Sequence, residues 1–173
     1  CAQPVSGIDW YPTILELCGI PSPAAQAVDG VSLVPLLKGE TIENRALFWH
    51  YPHYGNQGGE PSSTIMKDKW KLIHYHEDGR DELYDLSEDQ GESTNLIKRE
   101  LKRSRAMRRN LDAWLKESGA KFPSKDPKFE PSKRKARWEN IRTKGRESLE
   151  RRHAEYLDQN YQPNKDWWGS SDD

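Results

Sequence analysis

The strongest constraint on the fold is a period-two pattern on either side of a short polar turn, in the stretch STIMKDKWKLIHYH at positions 63–76. Its two halves alternate between two faces, and Asp68 and Lys69 separate them. Successive side chains of a β-strand point to opposite sides of a sheet. The alternation therefore predicts a hairpin of two antiparallel strands, Thr64–Lys67 and Trp70–His76.

Two further segments are expected to join this hairpin. The stretch from Arg45 to Tyr51 carries apolar groups on both faces, which predicts an inner strand that is buried on both sides. After a turn at positions 77–80, residues Glu82–Leu86 form a short additional strand. Together these segments predict a small antiparallel sheet of about four strands.

The period changes between Leu96 and Ser118, where the apolar residues fall within an arc of about 140° on a helical wheel. This pattern predicts one long helix that ends at Gly119 and covers one face of the sheet. The apolar residues that define the stripe are Ile97, Leu101, Met107, Leu111, Trp114 and Leu115. The expected fold class is α+β.

Hydrophobic residues make up 34% of the chain and charged residues 32%, and the mean hydropathy is -1.04. This composition is too polar for one compact globule of 173 residues. The apolar residues lie mostly between Val5 and Leu115. We expect residues 120–173 to be a charged tail that is mostly disordered or partly helical.

Two short helices are expected ahead of the sheet, one between Ser6 and Gly19 and one between Ser32 and Gly39. The first helix should place Cys18 on its buried apolar side. The chain begins CAQPVSGIDW, without an initiator Met or a signal-peptide pattern, and we interpret this start as a cut within a longer protein.

Most reactive motifs are absent from the sequence. It contains no phosphate-binding glycine loop, no HExxH, no GxSxG, no EF-hand spacing and no cysteine spacing typical of zinc. The stretch FWHYPHYGNQGG at positions 48–59 is more informative, because His50 and His53 flank Pro52 and glycines follow. Such a loop can present hydrogen-bond donors to an anion or a sugar. Alternatively, the two histidines are bonded to backbone carbonyls beside packed aromatic residues.

The order of several motifs resembles the C-terminal portion of type I sulfatases, members of the alkaline-phosphatase-like superfamily. The resemblance covers roughly residues 5–119. It is carried by PVSGIDWYPTILELCGIP, DGVSLVPLLKGE, RALFWHYPH and MKDKWKLIHYHEDGRDELYDLSEDQGESTNL, in that order.

The resemblance implies three parts: residues 1–44 end the large α/β domain, residues 45–119 form the small C-terminal subdomain, and residues 120–173 form the tail. The intact enzyme would hydrolyse sulfated carbohydrates or aryl sulfates, using a formylglycine nucleophile and calcium. Periplasmic or secreted localisation is expected on the same basis.

The family's nucleophile lies in C-x-P-x-R or S-x-P-x-R, and neither Cys1 nor Cys18 is followed by that sequence. No catalytic or metal-binding residue is therefore assigned, and the chain alone is expected to be inactive. The resemblance places the first strand and its loop at the rim of the active-site cleft. The expected substrate-binding residues are His50, His53, Tyr54, Asn56 and Gln57.

Two other function classes remain open at this point. The segment 98–109 has seven bases and one acid, so the helix and tail could instead bind nucleic acid or another polyanion. The sheet and helix could also form a free-standing interaction domain. We expect no nucleic-acid partner and no membrane partner, and we expect the absent N-terminal domain to be the main protein contact.

Overall fold

The structure is a computed structural model that describes residues 3–23, 25–55 and 59–162. Its strands are β1 (Leu47–Tyr51), β2 (Ser62–Lys67), β3 (Trp70–Tyr75) and β4 (Asp81–Asp85). Its helices are α1 (Trp10–Leu17), α2 (Val34–Leu37), α3 (Leu101–Glu117), α4 (Pro131–Asn140) and α5 (Arg146–Tyr156). The α+β prediction, with a four-stranded antiparallel sheet and one long helix, is confirmed.

The strands follow chain order, β1-β2-β3-β4, and every neighbouring pair is antiparallel. The prediction that β1 is an inner strand buried on both faces is wrong, because β1 lies at an edge of the sheet. Its apolar residues Trp49 and Tyr51 point away from α3 and are 41% and 54% exposed. Alternating apolar residues here mark an open sheet face, not an interior strand.

The core lies between α3 and one face of the sheet. Ile65, Leu72 and Leu83 are paired across β2, β3 and β4, and none of the three is exposed to solvent. They pack in one cluster with Leu111 and other buried residues of α3, namely Met107 and Leu115. The ring of Phe48 on β1 stacks on Trp114 with centroids 4.9 Å apart. This packing fixes α3 across the sheet.

Asp9, which is fully buried, organises the segment ahead of the sheet. Its carboxylate accepts from the backbone N–H groups of Ser6 and Val31 at 2.8 and 3.0 Å. It also pairs with Arg45, just before β1, with both oxygens 2.5 Å from one guanidinium nitrogen. Gly30 is required at this point because a Cβ there would overlap the carbonyl of Ile8. The Asp9 carboxylate thus joins three separate stretches of chain.

The outward side of α1 has no covering element in the described part of the chain. Trp10 and Leu17 are 61% and 63% exposed, and Cys18 is also exposed. The prediction that Cys18 is buried is therefore wrong. The helix has an apolar side, as expected, but that side faces away from the small sheet.

The chain divides into two compact units, Cys1–Pro123 and Ser124–Asp173. The second unit contains α4, a π-helical segment Ile141–Gly145 and α5, so the tail is helical over much of its described length. Its helices have no buried residues. The division of the first unit at residues 44 and 45 stays a prediction. Among the described residues, no helix has the length and hydrophobicity needed to span a bilayer.

Replacing Asp9 with Asn should destabilise the first unit by about 3 kcal/mol, because Arg45 would keep its charge in a half-buried position without a counter-charge. Urea unfolding followed by tryptophan fluorescence measures this change. Asp29→Asn is the matched control, since Asp29 is exposed and loses the same charge. Equal stability of the two variants would contradict a central role for Asp9.

Candidate functional site

The candidate site lies where β1 ends and the following loop begins. His50 is the fourth residue of β1, and His53 lies in a bend directly after Pro52. The loop returns towards β2 through Gly59, whose φ of +96° lies in the left-handed region that glycine adopts readily. The predicted site residues Asn56 and Gln57 lie outside the described residues.

His50 is half-buried, and both of its ring nitrogens contact protein groups. Nε2 lies 2.8 Å from the carbonyl oxygen of Lys121, and Nδ1 lies 2.7 Å from Ser63 Oγ. Because a carbonyl oxygen only accepts, Nε2 donates this bond, and a neutral His50 accepts from Ser63 at Nδ1. His50 therefore holds the chain beyond α3 against the end of β1.

His50 belongs to a polar row that crosses all four strands. The strand register aligns His50, Ser63, His74 and Asp81. On each strand, this row lies two residues away from the apolar core row. Both His74 Nδ1 and an Arg108 nitrogen lie within hydrogen-bond distance of the same Asp81 oxygen, at 2.8 and 2.7 Å. The row thus continues from the sheet onto α3 through an ion pair.

His76, the residue directly after β3, completes this arrangement. Its Nε2 lies 2.8 Å from Ser63 Oγ, and its ring packs edge-on against Phe122. Burial, together with smaller electrostatic effects of the neighbouring His74, His50 and Arg108, lowers the pKa of His76 to about 4. His76 is therefore neutral at pH 7 and donates to Ser63, whose own hydrogen is directed to His50.

His53 and Tyr54 lie on the accessible side of the same region. The His53 ring packs edge-on against Tyr51, with centroids 5.6 Å apart, and is exposed. The Tyr54 hydroxyl donates to Glu77 at 2.8 Å. In the described part of the chain, no hydrogen bond or ring contact joins His53 to His50. The structure brings Tyr51, His53 and Tyr54 to the outer surface, whereas His50 faces α3.

Sequence reasoning missed most of the polar row. The alternation of the predicted strand Trp70–His76 puts His74 and His76 on one face, but it does not identify Ser63, Asp81 or Arg108 as their partners. The signal that could have found them is the hairpin register, since pairing Ile65 with Leu72 also pairs Ser63 with His74. Arg108 could not be placed in this way, because its position depends on how α3 lies across the sheet.

The sheet face opposite α3 is open and carries a shallow cavity of about 280 Å³. Lys71 and Glu92 form an ion pair at 2.6 Å in its wall. The other lining residues are Trp49, Thr64, Met66 and Leu86. This face combines exposed aromatic surface with a few paired charges, which is typical of a protein contact.

The residues that the structure describes do not fit the calcium or the formylglycine that the resemblance implies for the intact enzyme. In residues 3–23, 25–55 and 59–162, no group of three or more potential ligand side chains could hold a metal ion. Cys18 is followed by Gly-Ile-Pro-Ser, not by the nucleophile motif. No step that involves either group is therefore assigned to residues of this chain.

Comparison with known proteins identifies the family. The family model for N-sulphoglucosamine sulphohydrolase, C-terminal, matches residues 1–121. The chain belongs to this family. This match confirms the resemblance to sulfatases that the ordered motifs indicated. The family belongs to the alkaline-phosphatase-like superfamily.

Curated relatives and solved structures agree with this assignment. A sulfatase of Formosa agariphila is 37% identical over 133 residues, which cover 68% of this chain and 24% of the relative. A Delta 4,5-hexuronate-2-O-sulfatase of Bacteroides thetaiotaomicron is 35% identical over 95 residues, covering 53% of this chain and 19% of that protein. The solved structure of a 2-O GAG sulfatase matches with a TM-score of 0.53 and 31% identity, over 65% of this chain and 25% of that one. The chain thus spans about a fifth to a quarter of the length of these relatives.

The low pKa of His76 makes stability depend on pH. An unfolded histidine titrates near its usual pKa of about 6.5, so between about pH 6.5 and 4 the unfolded chain binds a proton that the folded chain excludes. The contribution of His76 to the free energy of unfolding is therefore complete above pH 6.5, and it is lost as the pH falls to 4. We expect it to be about 1–2 kcal/mol after solvent screening.

His76→Gln keeps a donor for Ser63 but cannot titrate, so the free energy of unfolding should fall less steeply over this pH range. Urea unfolding at several pH values measures the slope. His153→Gln in α5 removes an exposed histidine and should leave the slope unchanged. Parallel pH profiles for the wild type and His76→Gln would rule out this role for His76.

Proposed function

We propose that this chain is the C-terminal region of an enzyme that hydrolyses sulfate esters of carbohydrates. The match of residues 1–121 to a sulfatase C-terminal family carries the proposal. A sugar substrate is supported by the names of relatives, including the hexuronate-2-O-sulfatase, and by a matching structure that contains D-glucosamine-2-N,6-O-disulfate. The comparisons do not favour a polyanion-binding module or a free-standing interaction domain as the primary function.

The role of the chain in this enzyme is to shape the substrate site and not to break the bond. The sequence motif for the nucleophile is absent from the chain, whereas exposed hydrogen-bonding groups follow β1. His53 and Tyr54 would contact the sugar part of the substrate, together with Asn56 and Gln57 of the same loop. His50 would act by holding the end of β1, since both of its ring nitrogens contact Ser63 and Lys121.

The open sheet face and the outward side of α1 would contact the large α/β domain of the same enzyme. Both surfaces present large apolar side chains, with Trp49, Tyr51, Trp10 and Leu17 all at least 41% exposed. The matched relatives are four to five times as long as the segment that aligns with this chain. Such an upstream domain would cover apolar surface that is otherwise unusual on a monomer.

The 173-residue chain alone should release no sulfate from sulfated mono- or disaccharides and should self-associate through these apolar surfaces. The complete enzyme, with the upstream domain attached, should release sulfate and remain monodisperse. Ion chromatography of sulfate and static light scattering measure the two properties. Sulfate release by the isolated chain at enzymatic speed would overturn the proposed division of roles.

Replacing His53 with Ala in the complete enzyme should raise KM about five- to tenfold with little change in kcat, because a contact to the non-reacting part of the substrate is lost. Steady-state kinetics on a panel of sulfated sugars separates the two constants. His153→Ala is the matched control, since that histidine lies in the tail. Unchanged kinetics of His53→Ala on every sugar would remove His53 from the site.

A further inference from the structure

The solvent-exposed side of α3 carries four bases in a line. At 100° per residue, Lys102, Arg105, Arg109 and Lys116 fall within an arc of about 60°, and the line is about 21 Å long. All four are exposed. The buried residues of the helix lie on the opposite side: Ser104, Met107, Leu111 and Leu115. We refer to the four exposed bases as the basic stripe.

The bases of the stripe have no ion-pair or hydrogen-bond partner in the part of the chain that the structure describes. The other long bases of the same helix do have partners. Arg103 stacks on Trp70 at 4.2 Å and lies 3.5 Å from Glu100, and Arg108 pairs with Asp81 and with Asp112. The helix therefore separates bases that support the fold from bases that face solvent.

One base of the stripe, Lys102, lies at the end of the helix where the dipole is unfavourable to a positive charge, whereas Lys116 lies in the last turn, where the dipole favours one. The first turn of α3 contains Lys102 and Arg103 and no acidic residue. The helix dipole places partial positive charge at this end, so bases there are unfavourable by a few tenths of a kcal/mol each. A bound polyanion would offset both this repulsion and the repulsion between neighbouring bases.

We propose that the basic stripe binds a sulfated polysaccharide chain at a distance from the reacting sulfate ester. This inference rests on the proposed function, because the substrate of a carbohydrate sulfatase carries further sulfate groups along its length. Four cations on a line of about 21 Å match a linear polyanion better than a single small anion. The stripe would hold the polymer while the loop after β1 contacts the sugar at the cleavage site.

The same charge pattern fits a sulfated glycan better than a single-stranded nucleic acid. Proteins that bind single strands usually combine bases with exposed aromatic rings on which nucleobases stack. The aromatic residue of α3, Trp114, is stacked on Phe48 against the sheet and is unavailable for this role. The stripe thus lacks the stacking surface that a single-stranded nucleic acid would use, whereas a sulfated glycan needs only its charges to be met.

The test uses the full 173-residue chain, immobilised at low density on a biosensor so that self-association does not interfere. The probe is a size-defined heparin oligosaccharide. For the wild type, we expect a slope of about -3 to -4 in a plot of log K against log salt concentration, which corresponds to roughly a 100-fold loss of affinity over a fourfold increase in salt. In the variant K102Q/R105Q/R109Q/K116Q, binding should weaken at least about tenfold and the slope should approach zero.

The matched control is K125Q/K128Q/K135Q/R137Q, which removes the same total charge from exposed positions of the tail. This variant should bind the oligosaccharide like the wild type. Urea unfolding should show that the stripe variant is about as stable as the wild type, since it removes one unfavourable charge from the first turn of α3, at Lys102, and one favourable charge from the last turn, at Lys116. Loss of binding can then be assigned to the stripe and not to unfolding.

Two probes decide the chemistry of the partner. The desulfated oligosaccharide should not bind, and single-stranded DNA of similar length should bind more weakly than the sulfated probe. Equal loss of binding in the tail variant, unchanged binding in the stripe variant, or preferential binding of DNA would each overturn the inference. Failure of the complete enzyme to release sulfate would instead refute the proposed function and leave the binding result standing.

Discussion

The packing of Leu111 against Ile65, Leu72 and Leu83 is the interaction on which the rest of the structure depends. These four side chains are fully buried, and they join α3 to three different strands. Removing one of them would leave a cavity in this core, which costs several kcal/mol in comparable cores. The sheet and α3 take their relative position from this contact.

The polar row is the direct consequence of that packing. Because the apolar row fixes the register, His50, Ser63, His74 and Asp81 must also align, two residues further along each strand. They meet Arg108 on α3 and the backbone of Lys121 beyond it. Arg108 reaches Asp81 only if α3 and the sheet keep their relative orientation. The row therefore fixes the position of the end of β1, from which the loop with His53 starts.

The two sides of this helix-and-sheet layer have different properties, which agree with a subdomain that lies between a protein partner and solvent. The sheet face away from α3 is aromatic and open, with Trp49 and Tyr51 exposed. The helix face away from the sheet is basic, with the unpaired bases of the stripe. Apolar surface of this kind favours a protein contact, whereas a line of cations favours a solvated polyanion. In sequence order, the loop with His53 lies after the exposed aromatic residues of β1 and before the basic stripe of α3.

The sequence by itself determined the local elements, because they follow from periodicity. The hairpin around Asp68, the long helix before Gly119 and the α+β class needed only the change from period two to period 3.6. The ordered motifs also indicated the sulfatase family. Tertiary structure decided the position of β1 at the edge, the exposure of Cys18 and the partners of His50 and Arg108. These properties depend on which element covers which face. An amphipathic pattern indicates which face is apolar, but it does not indicate which element covers that face.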